Sequence, residues 1–319
     1  MASVHVLHEN EAWTAPLEVE FARLGLPYEL WFLDEGHLDL ARPPPEGIFY
    51  NRMSASSHTR DHRYGPEYTA CLLAWLELHE RRVLNASRAL ALEVSKVAQL
   101  TALERHGIRT PHTVAAIGRD AILGAARRMA GPFVTKHNRG GKGLGVHLFR
   151  SLDELTTYLE GPEYEPPIDG VTLVQQYVPA PDERITRCEF VGQRFLYAVE
   201  VDTSQGFELC PAESCEAGDP ASESIATRFR ILEEFSHPLI PRYERFLKAN
   251  DIHIAGIEFI VDERSVAYTY DVNTNTNYNP SAEAEAGRSG MRAIAEYLAF
   301  ELERDDGRRA SAGYLNAAR

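Results

Sequence analysis

Between residues 132 and 149 the chain reads as two apolar strands joined by a glycine-rich run, His137-Asn138-Arg139-Gly140-Gly141-Lys142-Gly143-Leu144-Gly145-Val146. Four glycines in six positions let the backbone turn freely and leave no Cβ to hold a ligand away. Successive backbone N–H groups in such a turn can converge on an anion. The flanks, PFVTKHN (132–138) and VHLF (146–149), exclude two familiar phosphate loops. A P-loop needs Gly-Lys-Ser/Thr opening a helix, whereas Lys142 is followed by Gly143 and a strand. A dinucleotide fingerprint would follow the first strand, near residue 8, where no glycine occurs. The segment alone leaves two readings: a lid over nucleotide phosphates, or a hairpin tip with no ligand.

The 319 residues are enough for two or three units with sizeable cores. Residues 3–7, 15–25 and 28–34 read as strand, helix and strand, the signature of a parallel sheet, with Gly25 a natural helix end. A third strand (47–51) follows Pro43-Pro44-Pro45, then a helix (66–82) and a short strand (83–86). One long helix, capped by Ser87, is predicted over 87–106. A turn-rich linker (161–170) separates this region from antiparallel-type strands at 171–178, 185–191 and 193–201. Helices are predicted over about 220–250, strands over 255–262 and 265–273, and a last helix over 281–303. The polar tail from Asp305 is expected to be mobile.

A formal charge of −14 argues against a nucleic-acid backbone as partner but leaves room for a local basic pocket. Four cysteines make no disulfide framework, and Cys210 and Cys215 lack the spacing of a zinc knuckle. The start MASVHVLHENEAW has no secretory character, and no apolar run approaches the roughly 20 residues of a membrane span. The expectation is a cytoplasmic protein with reduced thiols and no membrane partner; a homodimer is the base-rate assembly.

Two lysines bracket the glycine run's entry. Lys96 lies among Val94 and Val97, and Lys136 shares a strand face with Val134. Either lysine also reads as one that snorkels from an apolar edge. The segment AGIEFIVD-ERSV-AYTYDVN reads as a hairpin. Asp271 and Asn273 project to one face. A two-residue loop at Glu263-Arg264 would set Glu258 opposite Thr269, on that same face. Two carboxylates and an amide oxygen suit Mg²⁺. An odd-length loop would reverse that parity. The alternative is a polar exposed edge, against which stands the position of Glu258 between Ile257 and Phe259.

In order, VLNASRALALEVSK (83–96), GIRTPHTV (107–114), GPFVTKHNRGGKGLGV (131–146), LVQQYV (173–178), TRCEFVGQRFLYAV (186–199), GIEFIVD (256–262) and YDVNTNTN (270–277) resemble the ATP-grasp superfamily, and its RimK-type branch most closely. The resemblance covers roughly residues 83–303. It implies a parallel α/β unit (1–86), a central unit with the lid (87–168) and a C-terminal unit with the metal site (169–304), the last two with antiparallel sheets clamping ATP, and then the tail (305–319). It implies that Lys96 and Lys136 contact phosphates, that Gly140, Gly141, Gly143 and Gly145 form the lid, and that Gln176, Tyr177 and Val178 meet adenine. Glu183, ahead of Asp182, would hold ribose. Arg187 would stabilise the moving phosphoryl group. Glu258, Asp271 and Asn273 would hold one or two Mg²⁺, or Mn²⁺.

The activity implied is ATP-dependent ligation of a carboxylate to an amine through an acyl phosphate, with amino acids, peptides or a protein tail as substrates. A carboxylate kinase, a non-catalytic nucleotide sensor and an acidic scaffold are the alternatives. The chain departs from the family in Gln176, where an acid is usual, and in having Glu258 before Asp271, where Asp precedes Glu. It departs again in the amide-rich stretch after Asn273, which makes Asn275 and Asn277 candidates for the substrate pocket. Arg52 reads either as a bidentate partner of a substrate carboxylate or as a surface arginine.

Overall fold

The computed structural model describes residues 2–141, 143, 145–204 and 228–317. Its first unit runs β1 (Ser3–His8), α1 (Glu11–Leu24), β2 (Tyr28–Phe32), β3 (Gly47–Asn51), α2 (Gly65–Leu78) and β4 (Arg82–Leu84). The four strands are parallel in the order β2-β1-β3-β4. Asn10 caps α1 by accepting from the Trp13 N–H, and Gly25 ends it at φ 62°. The chain leaves β1 on one side and returns on the other. That is where open parallel sheets leave a crevice at their strand ends, and Arg52 to Ser57 follow β3 there.

The helix expected over 87–106 is two helices, α3 (Ser87–Glu93) and α4 (Lys96–Arg105). Ser95, not Ser87, is the side-chain cap: extended at φ −141°, it accepts from the Ala98 N–H. The break makes Lys96 the first residue of α4.

The central sheet contains β5 (Thr113–Ala116), β6 (Phe133–His137), β7 (His147–Phe149) and β8 (Thr172–Gln176), antiparallel in the order β5-β8-β6-β7. It is backed by α5 (Arg119–Ala126) and α6 (Leu152–Glu160). β8, expected at the head of the C-terminal unit, pairs with β5 and β6 here. Conversely, α3 and α4 pack on the C-terminal sheet, where Leu92, Leu100 and Leu103 meet Phe190 and Ile257.

That third sheet is antiparallel, β11-β10-β9-β12-β13. Its strands are β9 (Arg184–Val191), β10 (Arg194–Asp202), β11 (Phe229–Leu232), β12 (Ile254–Val261) and β13 (Ala267–Asn273); α7 (Ile240–Ala249) lies between β11 and β12. Residues 229–232 were expected to be helical, but edge pairing of Phe229 with Val201 makes them a strand; the rest of that expectation to residue 227, with Cys210 and Cys215, lies outside the described residues. Cys71 and Cys188 are free thiols. After α8 (Pro280–Ala286), Gly287 turns the chain at φ 62° into α9 (Gly290–Ala317). The tail expected to be mobile from Asp305 is helical through Ala317, consistent with its run of alanine, arginine and leucine.

One apolar core joins Val6 and Tyr50 of the parallel sheet, Phe21 of α1, Ile294 and Leu298 of α9, and Val199 and Ile254 of the C-terminal sheet. The central sheet has a separate core of Ile122, Phe133, Phe149, Leu155 and Val174. Among the described residues no helix is long and apolar enough to cross a membrane.

Candidate active site

The β12–β13 turn has the odd length that should have reversed the hairpin's parity. Val261 pairs with Ala267, and Ser265 supplies the left-handed residue of the turn at φ 59°. The register then shifts between Glu258 and Phe259, so Glu258 stands opposite Asp271. This bulge restores the shared face by a route the sequence argument did not contain. Asn273 joins the pair: its Nδ2 lies 3.4 Å from Glu258 Oε1.

Each carboxylate meets a cation. Lys96 Nζ lies 2.5 Å from Asp271 Oδ1. α4 is held in place by Gln99, whose amide bonds both backbone groups of Val272 on the outer edge of β13, at 2.6 and 2.9 Å. Burial opposes charge on both Lys96 and Asp271. The pairing outweighs it, holding the ammonium above its ordinary pKa and the carboxyl below. Lys136 has no such carboxylate partner: its Nζ lies 3.5 Å from the Tyr270 carbonyl. Burial, then repulsion from Lys96, lowers its pKa to about 7.

Arg187 on β9 is tethered through all three of its guanidinium nitrogens. Its Nε donates to Glu189 at 2.5 Å, Nη1 to Glu258 at 2.8 Å and Nη2 to Thr276 Oγ1 at 2.6 Å. Thr276 also donates to Glu189. The guanidinium lies flat on the backbone of Gly256, where an added Cβ would fall 2.4 Å from Nη2.

The stretch after β13 alternates. Thr274 and Thr276 point into the protein, 2% and 0% exposed, and bond Glu93 and the Arg187–Glu189 pair respectively. Asn273, Asn275 and Asn277 line the cavity on the opposite side. Glu93, which the sequence reading missed, also accepts from the N–H groups of Ala55 and Thr274. Its place in an otherwise apolar helix face was the available signal.

The lid stands against the first unit. Arg139 bonds Glu67 and the Arg63 carbonyl, and Gly141 abuts Ser56, leaving 3.4 Å for a Cβ. Asn138 ties the lid's base to α4, accepting from Ser95 and Val97. Gly145 rides over the His137 ring at φ 73°. Lys142 lies outside the described residues. At the hinge, the N–H groups of Gln176 and Tyr177 are already bonded to the carbonyls of His112 and Pro132. Glu183 adopts φ 54°, its carbonyl pinned by Thr203.

These residues surround one cavity of about 510 Å³ where the three sheets meet. It is lined by Lys96, Lys136, Gly140, Gly141 and Gly143, by the hinge residues Gln176, Tyr177 and Val178 with Glu183, and by Arg187, Glu258, Asp271, Asn273, Asn275 and Asn277. Trp13, Ser54 and Ser56 of the first unit, absent from the sequence reading, close the far wall.

Two expected residues are placed differently. Gly145 shapes the lid without lining the cavity. Arg52 is neither a surface arginine nor open to a substrate carboxylate. It is 1% exposed, and its guanidinium donates to the Trp13 and Thr276 carbonyls and, at 2.9 Å, to Asn277 Oδ1.

Two opposed carboxylates and an amide oxygen form a hard donor set that fits a magnesium-sized ion, with Lys96 and Arg187 balancing the acids here. Among the described residues no group of three His, Cys, Asp or Glu side chains forms a metal cluster, so the fit depends on Asn273.

No protein-family model matches the chain. Over 105 residues it is 31% identical to the alpha-aminoadipate–LysW ligase LysX of Sulfurisphaera tokodaii, an alignment taking in 33% of this chain; the chain thus spans 37% of that curated relative's length. It superposes on the RimK domain ATP-grasp protein of Sphaerobacter thermophilus with a TM-score of 0.63 at 20% identity, covering 93% of this chain and 99% of that one. It superposes on the ATP-grasp ligase PsnB, complexed with a phosphomimetic variant of a minimal precursor, Mg and ADP, with a TM-score of 0.61 at 14% identity, covering 93% and 97%. With three sheets around one cavity, a glycine-rich turn and an acid pair beside two lysines, this chain has the ATP-grasp fold of these structures.

Proposed function

We propose that this chain is an ADP-forming, ATP-dependent carboxylate–amine ligase acting on amino acid or peptide substrates. The observation that carries the reading is the Glu258–Asp271 pair, set face to face in the cavity beneath the glycine lid with Lys96, Lys136 and Arg187 around it.

In this reading Lys96 and Lys136 hold the phosphates, and the lid glycines bring N–H groups over them. The adenine edge meets the hinge at its carbonyls and at Val178, since two hinge N–H groups are engaged. Glu183 takes the ribose. Glu258, Asp271 and Asn273 hold one or two Mg²⁺, which supply charge neutralisation at the transferring phosphate. Arg187, fixed on three sides, stabilises charge on the phosphoryl group as it passes to the substrate carboxylate. The closed lid keeps water from the acyl phosphate until an amine attacks. None of these steps requires an enzyme nucleophile.

The test is phosphate release with MgATP against pools of amino acids and dipeptides, with mass spectrometry of products. An amide product with ADP supports the reading. An acyl phosphate, trapped as a hydroxamate by hydroxylamine, with no amide formed from any amine offered favours a carboxylate kinase, and a stable phosphate ester that gives no hydroxamate favours a hydroxyl kinase. ATP binding without turnover in any pool favours a sensor.

A further inference from the structure

The far wall of the cavity is built to recognise an uncharged group. Arg52 carries only N–H donors, so the Asn277 atom facing it at 2.9 Å is the amide oxygen. Nδ2 is therefore the Asn277 atom left for the cavity, a donor fixed in place by a buried guanidinium. Two residues earlier, Asn275 Oδ1 is buried without a hydrogen-bond partner, and a buried acceptor of that kind requires a ligand or water. The backbone bends at Thr274 and Asn275 as it leaves β13, and both amides still line the cavity, so together they form a short donor–acceptor row.

Among the described residues no unpaired cation lines this wall, and its carboxylate, Glu93, is turned to the N–H groups of Ala55 and Thr274. The arginines nearest it are engaged: Arg52 as described, and Arg60 in a two-point pair with the buried Glu9, stacked 4.6 Å from Trp13 and donating to Ser56 Oγ at 3.3 and 3.4 Å. The cations that line the cavity lie elsewhere. Lys96 and Lys136 flank Asp271 and Tyr270, Arg187 sits between Glu189 and Glu258, and Arg150 follows the lid strand β7. Among the described residues none is free to meet a second carboxylate beside Trp13, Ser54 and Ser56.

We propose that Asn275 and Asn277 read an amide group in the body of the acid substrate, which makes that substrate a peptide or N-acyl amino acid rather than a dicarboxylic amino acid. The reacting carboxylate must lie near Asn273 and Arg187, and the chain runs from there through Asn275 and Asn277 toward Trp13, so the body of the acid lies along the row. Arg52 acts as a positioning residue through Asn277. The inference rests on the ligase reading for the direction in which the acid enters.

The test is calorimetric titration of the full chain, loaded with Mg²⁺ and a non-hydrolysable ATP analogue, with N-acetylalanine, alanylalanine, aspartate and glutamate. The amide-bearing acids should bind at least about tenfold more tightly than the dicarboxylates, as expected when a buried donor and acceptor are left unpaired. Asn277→Asp, which keeps the shape and removes the donor, should reduce that ratio to about threefold or less; Asn275→Ala should reduce it as well. Because the ratio is internal to each protein, partial unfolding does not mimic the effect. Glutamate binding as tightly as N-acetylalanine, binding of neither class, or a ratio unchanged in both variants overturns the inference. Hydroxamate formation with MgATP and hydroxylamine is measured separately. A bound amide-bearing acid that yields none defeats the ligase reading while the subsite stands.

Discussion

Glu258 faces Asp271 across the hairpin because the strand ladder slips by one residue between Glu258 and Phe259, leaving Tyr270 out of the pairing. The two carboxylates thereby share a face and a pair of counter-cations, and the pair is what the proposed chemistry needs most. Asp271→Asn and Glu258→Gln should each lower ADP release by at least about a hundredfold with any acid and amine that support the parent protein. A coupled ADP assay reads this. Parent-like rates in either variant would remove that residue from the mechanism.

Lys136 provides a pH signature. Its free-site pKa of about 7 lies well below the ordinary lysine value of 10.5, and triphosphate charge favours the protonated form. Nucleotide binding should therefore take up about one proton at pH 8.5 and almost none at pH 6. Calorimetry in buffers of different ionisation enthalpy measures the uptake, which Lys136→Met should abolish. In the free protein the unfolded chain binds the extra proton between pH 7 and 10.5, so this residue makes stability rise with pH across that window.

Gly256 is predicted to be irreplaceable for geometric reasons. A Cβ there collides with the Arg187 guanidinium at 2.4 Å, and Arg187 is tethered on three sides. Gly256→Ala should displace the guanidinium, lowering kcat by about tenfold or more with a smaller change in KM for ATP. It should also cost about 1–3 kcal/mol of stability. Unchanged kcat would show that Arg187 relaxes without consequence.

Gln99 carries Lys96 to its target. Gln99→Met removes two bonds to Val272 and leaves buried backbone groups on β13 unpaired. A loss of about 2–4 kcal/mol in denaturant unfolding is expected, with a weaker apparent affinity for ATP. A neutral result would assign the docking of α4 to apolar packing alone.

The elements of the site were legible where local chemistry decides them. The strand entering the lid, the glycines, the lysines and the acid–amide strand can be read from residue types and their period. What the sequence concealed was set by contacts between distant residues. Nothing local marks the bulge that places Glu258 opposite Asp271. The break before Lys96 was written in Ser95, but a continuous apolar pattern from Leu90 to Leu103 masked it. Arg52 had the composition of a carboxylate binder, and only the approach of Trp13, Thr276 and Asn277 shows its guanidinium to be enclosed. The amide-rich stretch after Asn273 did mark Asn275 and Asn277 as candidates, but only the fold shows that the intervening threonines turn inward to Glu93, Arg187 and Glu189 while the amides line the cavity.

The last helix returns to the parallel sheet and shares a core with both it and the C-terminal sheet, while the central sheet has its own core and reaches the C-terminal sheet's core through Leu173 of β8. The parallel and C-terminal sheets are thus joined by a broad shared core, and the central sheet, residues 113–176, is joined to them by a narrower apolar contact. The glycine-rich turn and residues 176–178 stand on the central sheet's side of the cavity. The acid pair, Arg187 and the asparagines all stand on the C-terminal sheet's side, so on the proposed reading the groups that would meet the substrate acid are braced together by one core.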